Sequence, residues 1–157
     1  MKRMTLAILL VAASLGAAQV VSADQDNAPG AYCMGTNDTL TVNTAGHAYN
    51  NTTSEITAVC PIERRELATK VKALVFVLDR HPDENVCCRL IARSPNGHTY
   101  QTAETCSSGS SSSEKHFTTE ELDYPWTYAQ FFVKCTLPPK SGSDASRILT
   151  YRSYLSN

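Results

Sequence analysis

The sequence predicts an all-β fold, a single antiparallel β-sandwich or small barrel stapled by disulfides. Three observations predict it. Roughly seven short apolar or alternating stretches are separated by Gly, Pro, Asn and Ser turn signals. Little of the chain carries a helical spacing of apolar residues. Six cysteines, an even number, stand downstream of what reads as an export signal.

The export signal occupies residues 1–23. Lys2 and Arg3 supply a positive start, Leu6 to Ala18 is an apolar run broken only by Ser14 and Gly16, and Val21-Ser22-Ala23 sets small residues before Asp24. The apolar run falls short of the ~20 residues that span a bilayer. Cleavage near Ala23 leaves a single domain over 24–157, secreted or periplasmic, with no membrane span in the mature chain. Of 157 residues 134 then remain, with 12 Lys and Arg against 15 Asp and Glu, and the net charge moves from −1 to −3. That balance gives nucleic acid no electrostatic footing.

Residues 24–35 are polar, carry Pro29 and Gly30, and read as an irregular arm pinned by Cys33. Residues 39–44 form a short Thr/Val strand. Residues 55–59 form another, ended by Cys60-Pro61-Ile62 because proline donates no ladder hydrogen bond. Residues 63–70 favour a helical turn or a loop. Residues 71–78 are a nearly continuous apolar run, which predicts a central strand covered on both faces. After a polar connection at 79–85, Val86, Cys88, Leu90 and Ala92 alternate with Cys87, Arg89, Ile91 and Arg93, and Ser94-Pro95-Asn96-Gly97 is a hairpin turn.

That hairpin sets a register. If Asn96-Gly97 is a two-residue loop, Cys87 faces Cys106, Arg89 faces Glu104, Ile91 faces Thr102 and Arg93 faces Tyr100. A loop one residue longer moves Cys87 off Cys106 and leaves Cys88 as the rival. The expected bond is Cys87–Cys106. The other four cysteines allow three pairings, of which Cys60–Cys135 with Cys33–Cys88 is the expectation.

Residues 107–115 are a flexible Ser-rich loop. Residues 127–137 form a strong strand, with Phe131, Val133, Cys135 and Leu137 inward, stopped by Pro138-Pro139. Residues 147–155 close the chain as a strand alternating Leu149, Tyr151, Ser153 and Leu155 against Ile148, Thr150, Arg152 and Tyr154.

Chemistry leaves candidates and no signature. His47, His81, His98 and His116 fall in polar or turn-rich segments, where solvated loop histidines are the ordinary case. There is no Gly-x-Ser-x-Gly elbow and no His-Glu-x-x-His pair. The cysteines lack the CxxC and histidine spacings of a zinc site. Asp79, Asp83 and Glu84 share one loop, but it carries Arg80 and His81 and lacks the glycine that shapes a calcium loop. The reading therefore assigns no catalytic residue, no metal and no cofactor. Tyr124, Trp126, Tyr128, Phe131 and Phe132 form the densest aromatic stretch. Phe131 belongs to the core; Trp126, Tyr128 and Tyr124 are the candidate ligand-binding aromatics, extended by Tyr100, Tyr151 and Tyr154 if their strands are neighbours. Asn37, Asn50 and Asn51 each begin an N-glycosylation triplet.

The order of signal peptide, Cys60-Pro61-Ile62, an alternating strand into Cys88, Cys135-Thr-Leu-Pro138 and a final Arg147-Ile148-Leu-Thr-Tyr151 strand resembles small exported bacterial β-proteins of unassigned function. The resemblance implies an extracytoplasmic β-fold and transfers no site. The expected role is non-catalytic, binding or structural, outside the cytoplasm, with carbohydrate or an extracellular protein as partner. The alternatives are a small secreted hydrolase using a loop histidine, and a disulfide-rich inhibitor or effector presenting the Ser-rich loop.

Overall fold

Thirteen strands pair into two antiparallel sheets in the computed structural model, which describes residues 24–36, 39–63, 68–124, 126 and 128–156. The expected signal peptide, and residues 64–67 of the helical turn or loop expected over 63–70, lie outside the described residues. In chain order the strands are β1 (Asp24–Pro29), β2 (Met34–Gly35), β3 (Leu40–Val42), β4 (Ala48–Asn50), β5 (Ile56–Ile62), β6 (Lys70–Leu78), β7 (Cys87–Arg93), β8 (Thr99–Gln101), β9 (Thr105–Cys106), β10 (Lys115–Thr118), β11 (Leu122–Asp123), β12 (Gln130–Leu137) and β13 (Arg147–Ser156). One sheet runs β10-β6-β13-β4-β3, with β1 also on β13 and β11 also on β6; the other runs β2-β5-β12-β7-β8, with β9 also on β7. The sheets form the sandwich that the alternation predicts. Among the described residues no helix is long and apolar enough to cross a membrane.

Each sheet turns one face inward. Val71, Ala73, Val75, Val77, Ile148, Tyr151 and Leu155 from the first sheet meet Ile56, Ala58, Leu90, Ala92, Phe131, Val133 and Leu137 from the second. The outward residues of β6 are half-buried or exposed, so this strand is central in its sheet but covered on one face only. Its apolar outer residues, Leu74, Phe76 and Leu78, imitate a doubly covered strand in the sequence.

Three elements depart from the expectation. The polar arm at 24–29 is a strand, pairing with β13 from Asp24↔Leu155 to Pro29↔Thr150. The open edge of β13 imposes it; nothing in Asp-Gln-Asp-Asn favours a strand. The arm then turns across β13 at Gly30, where a Cβ would stand 2.1 Å from the Ile148 carbonyl oxygen, so no other residue fits. Pro61 does not end β5. It lies opposite Phe132 beyond the part of β5 that β2 covers, so its missing N–H faces an unpaired edge. In β13 a register shift between Ile148 and Thr150 breaks the expected alternation, so that Ile148 rather than Leu149 shares the buried face with Tyr151, Ser153 and Leu155.

The cystines are Cys33–Cys60, Cys87–Cys106 and Cys88–Cys135. The hairpin pair is as expected, and Arg89 meets Glu104 at 3.1 Å. The other two correct the expected Cys60–Cys135 and Cys33–Cys88. β12 lies between β5 and β7, and its register sets Cys135 directly across from Cys88 and from Ala58, leaving Cys60 opposite Val133. Cys60 is met instead by Cys33 from the arm.

Tyr151 ties the layers together, donating from its hydroxyl to the Pro61 carbonyl at 2.5 Å. Burial, then the charge of Asp26 and the nearby Tyr32, push this hydroxyl up to about 12. The fold therefore holds the neutral form. An unfolded tyrosine ionises near 10, so this group's contribution is complete below about pH 10 and is lost as pH rises from about 10 to about 12. Chemical denaturation across that window should show a steeper alkaline loss for the wild type than for Tyr151→Phe, which should also be about 1 kcal/mol less stable at pH 7. Equal alkaline slopes would refute the assignment.

Candidate functional site

The β7–β8 hairpin builds one wall of the aromatic site. Its loop holds three residues, Pro95-Asn96-Gly97, closed by Ser94 N–H to the His98 carbonyl and Gly97 N–H to the Ser94 carbonyl, with Gly97 at φ +86°. The Ser94 hydroxyl also accepts from the His98 N–H at 3.0 Å. This replaces the expected two-residue loop, so Arg93 faces Thr99 and Ile91 faces Gln101. A one-residue irregularity over 102–104, where the Leu90 N–H donates to the Thr102 hydroxyl, restores the register in time for Cys87 to meet Cys106. The β3–β4 hairpin has the same build, with the Asn43 side chain accepting from the His47 N–H and Gly46 at φ +79°.

Four rings then pack edge to face. Tyr124 lies 4.5 Å from Trp126 at 78° and 5.8 Å from Phe131 at 83°. Tyr100 on β8 reaches Trp126 at 5.1 Å and Tyr124 at 5.8 Å. His98 lies against the other part of Trp126 at 5.5 Å, tilted 36°. Of the candidate aromatics, Tyr124 is fully buried and is the floor of the cluster; Trp126 is half-buried on top of it; Tyr128 is 78% exposed beside it. Trp126, Tyr128, Ser94, Pro95, Asn96 and His98 line a cavity of about 390 Å³, with no carboxylate among the described residues that line it. Tyr100 joins this group and is 48% exposed, whereas Tyr151 belongs to the core of the other sheet. Tyr100 on β8 and His98 just before it join the candidate cluster because the hairpin lies beside Tyr124 and Trp126.

Of the remaining candidates, His81, His116 and Asp79 have structural partners, whereas the His47 Nδ1 is buried with no hydrogen-bond partner among the described residues. The His81 Nδ1 accepts from the Asp83 and Glu84 N–H groups and shapes that loop. His116 packs on Phe76 at 5.7 Å. Among the described residues no serine hydroxyl bonds a histidine ring, and no three His, Cys, Asp or Glu side chains gather as a metal site. Asp79 is fully buried, accepting from the Ser107 and Ser146 hydroxyls. The Ser-rich loop is tied to that node: Ser111 N–H donates to the Asp79 carbonyl, Gly109 N–H to Asn85, and Lys115 Nζ to the Ser108 and Gly109 carbonyls. Asn50 is fully buried with its amide donating to the Ser54, Leu137 and Pro138 carbonyls, which denies it to a glycan.

The sandwich is similar in fold to several solved carbohydrate-binding modules. No family model and no curated protein matches the sequence. Among solved structures, the chain is similar to a Podospora anserina GH26-CBM35 β-(1,4)-mannanase, with a TM-score of 0.55 and 11% identity over 85% of this chain and 28% of the mannanase. It is similar to TmCBM61, solved in complex with β-1,4-galactotriose, at a TM-score of 0.51 and 12% identity over 79% of this chain and 87% of that one. The xylan-binding module CBM15 gives 0.50 and 13% identity over 85% and 97%. At these identities the likeness is one of fold.

Proposed function

We propose that the protein is a non-catalytic carbohydrate-binding β-sandwich that works outside the cytoplasm. The observation that carries this reading is the Trp126–Tyr128 cavity at the β7–β8 turn. A sugar ring presents a face of C–H groups and a rim of hydroxyls. Trp126 and Tyr128 offer aromatic surface for the first, and Ser94, Asn96 and His98 offer hydrogen-bonding groups for the second. The likeness to sugar-binding modules supports it at the level of fold. Three cystines in a chain with a predicted export signal support the compartment.

Trp126 is the chain's single tryptophan. Its fluorescence therefore reports this site alone. A glycan array followed by titration should find a polysaccharide that shifts the emission, and Trp126→Ala should weaken its binding at least about tenfold by calorimetry. Binding that survives Trp126→Ala unchanged would sink the reading.

A further inference from the structure

We infer that the hollow beside Phe132 is a second ligand subsite, joined to the Trp126 cavity around Tyr128 to form one track for an extended polysaccharide chain. The inference rests on the carbohydrate reading above and specifies its ligand as a chain of several sugars spanning the site.

Three hollows lie in sequence and share walls. The first, about 520 Å³, is built on Val59, Pro61, Phe132, Gln130 and Tyr128. The second, about 330 Å³, holds Arg93, Ser94, Pro95, Gln130 and Tyr128. The third is the Trp126 cavity of about 390 Å³, which shares Ser94, Pro95 and Tyr128 with the second. Tyr128 borders all three, and at 78% exposure it is the ridge between them.

Sheet register places the first hollow. Phe132 pairs with Pro61 on β5 and Ile91 on β7, on the outward face of the sheet, and Gln130 pairs with Arg93 one step along. Neighbouring strands lie ~4.8 Å apart, so the stretch from Pro61 on β5 across β12 to Arg93 on β7 covers roughly 10 Å before the track reaches the turn. That is longer than one sugar ring. Along the track, ring surface at Phe132 gives way to the amide of Gln130 and the guanidinium of Arg93, then to ring surface again at Trp126. A chain of repeating rings edged by hydroxyls matches this alternation. Among the described residues no carboxylate lines any of the three hollows, and Arg93 is the one charged side chain that does.

The test is calorimetry with xylo-, manno- and galacto-oligosaccharides of one to six units, using the full domain. The expected result is affinity that rises at least about tenfold from two units to six for one of these ladders. Phe132→Ala and, independently, the exposed Gln130→Ala should each flatten the rise while leaving disaccharide binding in place. Circular dichroism checks that both variants fold, and Gln130→Ala carries the test if Phe132→Ala does not. Trp126-dependent binding in which six units bind no tighter than two, or a rise intact in every folded variant, overturns the track and leaves the carbohydrate reading standing. No binding to any ladder overturns the track; no binding across the glycan array as well removes the carbohydrate reading.

Discussion

Replacing Asp79 with alanine should cost about 3 kcal/mol, seen as a lower denaturant midpoint with an unchanged slope. Asp79 directly follows β6, is fully out of solvent, and accepts from Ser107 Oγ at 2.5 Å, Ser146 Oγ at 3.0 Å and the His81 N–H at 3.3 Å. Those donors belong to three different segments: the Ser-rich loop, the start of β13 and the 79–85 connection. Each serine hydroxyl makes further bonds besides the one to Asp79. Ser107 Oγ also accepts from the Val86 N–H, and Ser146 Oγ from the Arg80 N–H. Alanine therefore removes the acceptor around which all three segments close, and leaves two buried hydroxyls short of a partner. Asp79→Asn keeps one acceptor oxygen but turns an NH2 toward the other, so it should recover roughly half of the loss. Hydrogen exchange adds a local readout. The Ser111 amide, which donates to the Asp79 carbonyl at 2.7 Å, should lose protection in Asp79→Ala. An alanine variant as stable as the wild type would show that the network contributes nothing net.

Asp79 also marks where the sequence stops being readable. Its loop reads as a solvated acidic connection, because burial of a polar residue depends on partners 28 and 67 positions away. By contrast β7 and β12 are legible, since alternation, strict along β12 and broken in β7 only at the buried Ile91, fixes both the strand and its inward face. The Cys87–Cys106 bond was legible for a weaker reason. The hairpin loop is one residue longer than Asn-Gly suggests, and the irregularity near Thr102 cancels the shift, so the predicted pairs nearest the turn are wrong and those farthest from it are right. The strand β1 was illegible because its pairing is supplied entirely by the edge of β13. The cystine partners of Cys88 and Cys135 were open for the same kind of reason: strand order in a sheet is a long-range property that no local pattern encodes. Aromatic density alone picks out Trp126 and Tyr128, which line the cavity, and equally Tyr124, two residues from Trp126, which is buried in the core.

That difference in role makes the final prediction. Tyr124→Ala should lose about 3–5 kcal/mol, the cost of deleting a large buried ring whose surroundings relax only in part. It should also disarm the site without touching ligand. Trp126 rests on the edge of Tyr124 at 4.5 Å, and Tyr124 is itself braced by Phe131 and Tyr100. Without that ring, the indole loses its floor and gains rotational freedom, so a sugar must order it on binding. The emission of Trp126 should move to longer wavelength in the unliganded variant, reporting greater exposure of the chain's single tryptophan. Glycan affinity, measured well below the lowered melting point, should fall with it. Tyr124→Phe keeps all three ring contacts and should keep both the emission maximum and the affinity. Were Tyr124 a ligand contact, its hydroxyl would matter and the phenylalanine variant would bind weakly; its complete burial predicts the opposite.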